Sequence, residues 1–97
     1  FKASKRIKNQ EYIVSVMGQY GLSSRILSKK LNSQIVYTFT PEYIKKNKLE
    51  QELIDPETLE DLYNFSKINN KTRLYGVIGK DVNTSLSPKI HNEGFKI

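Results

Sequence analysis

Three short stretches of this chain combine residue types that could do chemistry. The first is Ser24-Arg25, which opens a helical pattern just after an apolar run ending in Met17-Gly18. In an array of parallel strands, ligands sit beyond the carboxyl ends of the strands. An Arg at that rim can hold a carboxylate by two parallel, charge-assisted hydrogen bonds. At a helix N-terminus a cation also opposes the helix dipole, so a purely surface role suits Arg25 poorly. The second stretch is Ser85-Leu86-Ser87-Pro88. Ser as N-cap with Pro at the first helical position is an ordinary helix start. The same arrangement places two hydroxyls and free N–H groups where a small anion would bind. The third, Gly76-Val77-Ile78-Gly79-Lys80, superficially suggests a phosphate loop. It has two residues between the glycines instead of four and Asp81 after the Lys, and it lacks the dinucleotide fingerprint.

Catalytic groups are otherwise sparse. The chain has no Cys, which removes thiolate nucleophiles and thiolate metal sites, and its one His rules out a His-rich metal site. His91 has no acidic partner at motif spacing and reads as a packing or capping residue of the last helix. Glu52, Asp55, Glu57, Glu60 and Asp61 fit the solvated first half of a helix. A Lys forms a Schiff base readily only when burial lowers its pKa, and no Lys here lies within an apolar strand.

The elements that must position these residues follow a βαβ rhythm. Residues 2–9 read as the closing turns of a basic helix. Tyr12 to Met17 is β-branched and nearly all apolar, as in a strand buried on both faces. Gly18 and Gly21 bracket a loop. Ser23 or Ser24 then caps a helix with Ile26, Leu27 and Leu31 on one side, ending at Asn32-Ser33. Ile35 to Phe39 reads as a second buried strand, parallel to the first. Thr40 to Ile54 is polar and reads as an irregular, functional loop. Asp55-Pro56-Glu57 is a helix start, with Asp as N-cap, Pro at the first helical position and acid in the first turn. That helix carries Leu59, Leu62 and Tyr63 and stops before Asn69-Asn70-Lys71. Arg73 to Gly79 is a third strand, and Ser87-Pro88 opens a final helix.

The 97 residues, 37% hydrophobic and 27% charged, hold enough apolar material for a small core. The longest apolar runs are too short to span a membrane. Phe1 to Arg6 has neither an initiator Met nor an apolar stretch, and reads as a cut through a longer chain. The net charge of +6 invites a nucleic-acid reading. The excess lies in the first 50 residues, where ten Lys/Arg face three Asp/Glu, and it is broken into separate patches. The aromatic strand Ile35 to Phe39 carries no basic residue. That argues against an RNA-binding face, which interleaves the two.

Tyr75-Gly76-Val77-Ile78-Gly79-Lys80, Ser85-Leu86-Ser87-Pro88 and Ile90-His91-Asn92 together resemble the N-terminal signature of shikimate dehydrogenases. Val16-Met17-Gly18, Gly21, Ser24-Arg25-Ile26-Leu27 and the strand Ile35 to Phe39 resemble the last two β/α units of type I 3-dehydroquinate dehydratases. Asp61-Leu62-Tyr63-Asn64-Phe65 is similar to the junction in plant-type bifunctional enzymes that join the two. The resemblance covers most of residues 12–96. It implies an α/β fragment in which residues 1–65 close a TIM-type barrel, 66–72 form a linker, and 73–97 begin the dehydrogenase substrate domain.

By the same resemblance, Arg25 binds the dehydratase substrate's carboxylate and Tyr37 lines that pocket. Ser85 and Ser87 hold the carboxylate of shikimate. The family's Ala-Pro-Gly-Gln lid should lie between residues 45 and 55, where the chain reads Asn47-Lys48-Leu49-Glu50-Gln51-Glu52. Gln51 stands in for the lid Gln, while an alignment anchored on Leu59 puts Leu53 there. The Schiff-base Lys, its acid–base His, the dehydrogenase Lys-Asp pair and the NADP-binding domain all fall outside these residues. No catalytic residue and no metal ligand is therefore expected here, and the segment alone should not turn over. The implied parent converts 3-dehydroquinate to 3-dehydroshikimate and reduces that to shikimate with NADP as cofactor. Its partners would be these small substrates, with neither nucleic acid nor membrane, in the cytoplasm, or the plastid if the source is a plant. The rival readings are a monofunctional shikimate dehydrogenase with a non-catalytic extension and a small basic RNA-binding module.

Overall fold

A computed structural model describes residues 10–96, together with the fold of the segment around Asn83 but not that side chain. The basic helix expected over residues 2–9 lies outside the described residues. The described residues form four α-helices: α1 (Gly21–Ile26), α2 (Pro41–Asn47), α3 (Pro56–Asp61) and α4 (Ser87–Phe95), with 3-10 turns at Phe65–Lys67 and Val82–Thr84.

Local signals set the helix ends. Asp55 caps α3 as expected, its Oδ1 accepting the Thr58 N–H at 2.8 Å. Hydrogen bonding from Thr58, side chain first and backbone second, holds the Asp55 carboxyl below its ordinary range. The Thr40–Ile54 stretch is not an irregular loop but contains α2. Thr40-Pro41-Glu42 repeats the logic of Asp55-Pro56-Glu57: the Thr40 hydroxyl accepts the Tyr43 N–H at 3.2 Å and Pro41 occupies the first turn. The helix stops at Lys48, which adopts φ 54° and ψ 47° while Leu49 N–H donates to the Ile44 carbonyl at 3.0 Å. This left-handed cap is usually glycine's. Asn32 (φ 56°) and Asn64 (φ 54°) punctuate the chain in the same way, and Asn tolerates that conformation better than most residues.

Two helix starts differ from expectation. α1 begins at Gly21 rather than at Ser23 or Ser24, with no side-chain cap, because Ser24 is drawn inward. At α4 the cap position is Leu86 and Ser87 is the first helical residue. Ser85 serves the turn instead, its Oγ accepting the Ser87 N–H at 3.2 Å.

The core is small. Leu31, Ile44, Leu53, Ile54 and Leu59 are its buried apolar side chains, contributed by the turn after α1, by α2 and α3, and by the segment between those two helices. The three segments expected as strands form no strand ladder among the described residues. The first two lie side by side at one end, where Gln34 N–H donates to the Tyr12 carbonyl at 2.9 Å and Val14 N–H to Ser33 Oγ at 2.9 Å. Their apolar side chains are not buried on both faces: Ile13, Val16, Met17, Ile35 and Tyr37 are exposed, as are Leu74, Tyr75, Val77 and Ile78 in the third. A strand buried on both faces needs neighbouring strands and two helical layers, and the packed helices here lie against only part of these segments.

The polar stretch 66–72 is tied down rather than free. Lys30 Nζ donates to the carbonyls of Asn70 and Thr72 at 3.1 and 2.9 Å, and Lys29 Nζ donates to that of Ser66 at 2.8 Å. Lys29 also lies over the Phe65 ring, 5.0 Å from its centre. The Ser66 hydroxyl and N–H both bond the Glu60 carboxylate and lower its pKa. Burial pushes the neighbouring Tyr63 phenol up. Around α4, Tyr75 and His91 each stack on Phe95, which gives His91 the packing role expected of it.

Two stability predictions follow from the caps. Asp55→Ala should destabilise the chain by about 1 kcal/mol at neutral pH. Because the folded carboxyl titrates below its unfolded value of about 3.9, this contribution is present above that pH and fades as pH falls through the folded pKa. The gap between Asp55→Ala and the unmodified chain in urea midpoint should therefore narrow as pH falls through the lowered folded pKa. Lys48→Gly should stabilise by up to about 1 kcal/mol, since Gly adopts the left-handed cap without Cβ strain, read as a raised urea midpoint.

Candidate functional site

A cleft of about 420 Å³ lies between the first two extended segments, α1, α2 and the segment that follows α2. Its lining includes Ser15, Met17, Arg25, Tyr37, Phe39 and Tyr43, with Leu49, Glu52 and Leu53 completing the wall. Alternation places the contributions of the extended segments. Ser15 and Met17 share one face of the first, and Tyr37 and Phe39 share one face of the second. The capped helix α2 adds Tyr43, whose ring stacks on Phe39 with centroids 5.7 Å apart. The volume suits a small metabolite, and largely aromatic and aliphatic walls are what such sites use around a few polar groups.

Arg25 is the principal polar group in it. Only 5% of its surface is accessible, and it sits in the last turn of α1, where the helix dipole favours a cation. The expectation that it opposes a helix N-terminus is thus corrected by the earlier helix start. Its Nη1 donates to the Val16 carbonyl at 3.2 Å. Its Nε is buried with no hydrogen-bond partner, and among the described residues no carboxylate pairs with it. A buried charge without a partner is costly. A ligand carboxylate would supply both the missing acceptor and the missing charge, in surroundings where low polarity strengthens the attraction.

Ser24 braces the guanidinium's neighbourhood. Its buried Oγ donates to the Gly21 carbonyl at 2.7 Å and accepts the Val16 N–H at 3.3 Å, joining α1 to the first extended segment.

The structure brings Arg25 and Tyr37 into one cleft. Gln51 is exposed and does not line it, whereas Leu53, its alternative in the lid position, does. Ser85 and Ser87 lie together at the start of α4, half-buried and apart from the cleft. Sequence reasoning passed over Phe39, Tyr43, Leu49 and Glu52. The period-2 pairing of Tyr37 with Phe39 was a usable signal for the first, and the Thr40-Pro41-Glu42 cap for the second. Among the described residues no group of His, Cys, Asp and Glu could hold a metal ion, and no helix is long and apolar enough to cross a membrane.

These features come first: a helical segment with a buried Arg in a cleft of small-metabolite size and a Ser-x-Ser-Pro turn downstream. Comparison with known proteins then gives the particular family. The chain is 43% identical over 81 residues, 84% of its length, to the bifunctional 3-dehydroquinate dehydratase/shikimate dehydrogenase, chloroplastic, of Arabidopsis thaliana. It is 33% identical over 82 residues, 81% of its length, to the shikimate biosynthesis protein AroDE of Chlamydia pneumoniae. It spans 13% and 16% of those two relatives. No family model matches, and no solved structure matches. The similarity indicates the shikimate-pathway dehydratase/dehydrogenase family, and the chain resembles the segment at the junction of the two enzymes.

Ser24→Ala should cost about 1 kcal/mol in urea denaturation, the usual net value of an internal hydrogen bond. It should also raise amide exchange at Val16, which loses its acceptor.

Proposed function

We propose that this chain is the inter-domain segment of a bifunctional enzyme that dehydrates 3-dehydroquinate to 3-dehydroshikimate and reduces the product to shikimate. Residues 1–65 would complete the dehydratase barrel, 66–72 would link the domains, and 73–97 would open the dehydrogenase substrate domain. The exposed apolar faces of the three extended segments support this reading, because completion of a barrel and of a second sheet would cover them. The chloroplastic relative supports a plastid location if the source is a plant.

The observation that carries the dehydratase assignment is the buried, uncompensated guanidinium of Arg25 in a cleft of metabolite size. In the proposed mechanism Arg25 grips the substrate carboxylate through charge-assisted hydrogen bonds. Tyr37 and Phe39 exclude water beside the ring, and Tyr43 closes the cleft from α2. A Schiff-base Lys outside this chain would form an imine with the substrate ketone, the electron sink for loss of the C2 proton. Ser85 and Ser87 would hold the carboxylate in the second site. NADPH would supply the hydride there. Gly76 to Gly79 lacks the spacing of a dinucleotide loop and is exposed, which supports placing the nucleotide site outside this segment.

In the full-length enzyme, Arg25→Ala should lower dehydratase kcat/KM by about 100-fold, the loss of one or two charge-assisted hydrogen bonds. Dehydrogenase kinetics should stay unchanged. The paired variant Ser85→Ala, Ser87→Ala should do the reverse. Equal loss of both activities in either variant would refute the two-site assignment.

A further inference from the structure

Gly21 is where three parts of the cleft meet. A Cβ built on it would lie 2.5 Å from Arg25 Nη1, 2.5 Å from the Val16 carbonyl oxygen and 3.4 Å from the Glu52 carbonyl oxygen. Its φ lies outside the left-handed region. Backbone conformation therefore does not call for glycine here, and alanine would be the better helix former. What requires glycine is space. The hydrogen bond from Arg25 Nη1 to the Val16 carbonyl passes over the bare Cα of Gly21, and two of the three crowded neighbours are backbone atoms that cannot rotate aside. Any side chain at position 21 therefore clashes with both partners of that hydrogen bond, and it must move the flexible guanidinium and the Val16 carbonyl apart to fit.

We propose that Gly21 is the positioning residue of the carboxylate clamp. Its missing Cβ makes the slot that seats Arg25 against the Val16 carbonyl and leaves Nε for the ligand. The proposal rests on the reading of the cleft as the dehydratase carboxylate site, and it adds a residue that never touches substrate. It also explains why Arg25 can be buried on so short a helix: the slot, not the helix surface, houses its head group. Ser24 serves the same contact from the other side by fixing the Val16 N–H and the Gly21 carbonyl.

The test is a double-mutant cycle in the full-length enzyme. Gly21→Ala should raise the dehydratase KM at least about tenfold with kcat changed by less than about threefold, because a misplaced clamp weakens ground state and transition state alike. Added to Arg25→Ala, it should raise KM no further. A fall in kcat at constant KM would mark lost active protein rather than a displaced clamp, and would overturn the proposal. So would KM effects that multiply in the double variant. If Arg25→Ala itself leaves KM unchanged, the carboxylate reading fails and takes the proposal with it; if only Gly21→Ala is silent, the proposal alone fails. Should Gly21→Ala not fold, side-chain NMR of the unaltered enzyme decides. A guanidinium seated in the slot gives slowly exchanging Nη protons and an Nε resonance that moves on adding 3-dehydroshikimate. A freely rotating Arg25 would overturn the proposal.

Discussion

The structure turns on a positive charge kept out of water with no carboxylate paired to it among the described residues. Arg25 has 5% of its surface accessible, gives one N–H to the Val16 carbonyl and keeps Nε without an acceptor. Proteins rarely bury a guanidinium without a partner, because desolvation costs more than a single neutral acceptor returns. That cost is tolerable when a ligand completes the set. The neighbouring groups make sense in this light: the bare Cα of Gly21 gives the head group room, Ser24 locks the helix to the extended segment, and the aromatic wall lowers the polarity around the charge.

The wall of the cleft depends on helix capping. α2 has seven residues and α3 six, too short to persist on propensity alone. Each is started by a side-chain acceptor followed by Pro, and α2 is stopped by a left-handed residue. Ile44 on α2, Leu59 on α3, and Leu53 and Ile54 between them are then the apolar side chains each helix and its connection bury. With α2 fixed, Tyr43 stacks on Phe39 and lines the same cleft as Arg25. The stretch from 45 to 55, where the resemblance implied a lid, contains the end of α2 and the turn that follows it. Leu49, Glu52 and Leu53, rather than Gln51, stand at the cleft.

The extended segments show the opposite balance. Ile13, Val16, Ile35, Val77 and Ile78 have the β-branched character of interior strands, yet all are exposed. Burying them takes partners on both sides of each segment. By contrast, the polar stretch that composition marks as a linker is held by Lys29 and Lys30 through four carbonyl and ring contacts. Burial and mobility therefore depend on what lies alongside as well as on composition.

Read alone, the sequence settled whatever depends on near neighbours in the chain. Asp55-Pro56 starts a helix because an acceptor three residues before a free N–H needs no tertiary help, and Thr40-Pro41 obeys the same rule. The Ser-Arg pair and the Ser-x-Ser-Pro turn stand out as candidate anion sites from residue type and spacing alone, and their order resembles that of the family. Tertiary structure decided what depends on distance. It chose Gly21 as the start of α1, turned Ser24 from a cap into an internal brace, moved Arg25 from a helix start to a buried slot, and set Leu53 rather than Gln51 at the cleft. Hydrogen-bond partners four residues apart are written in local order. A carbonyl nine residues away, like that of Val16, becomes a partner only when packing brings it there.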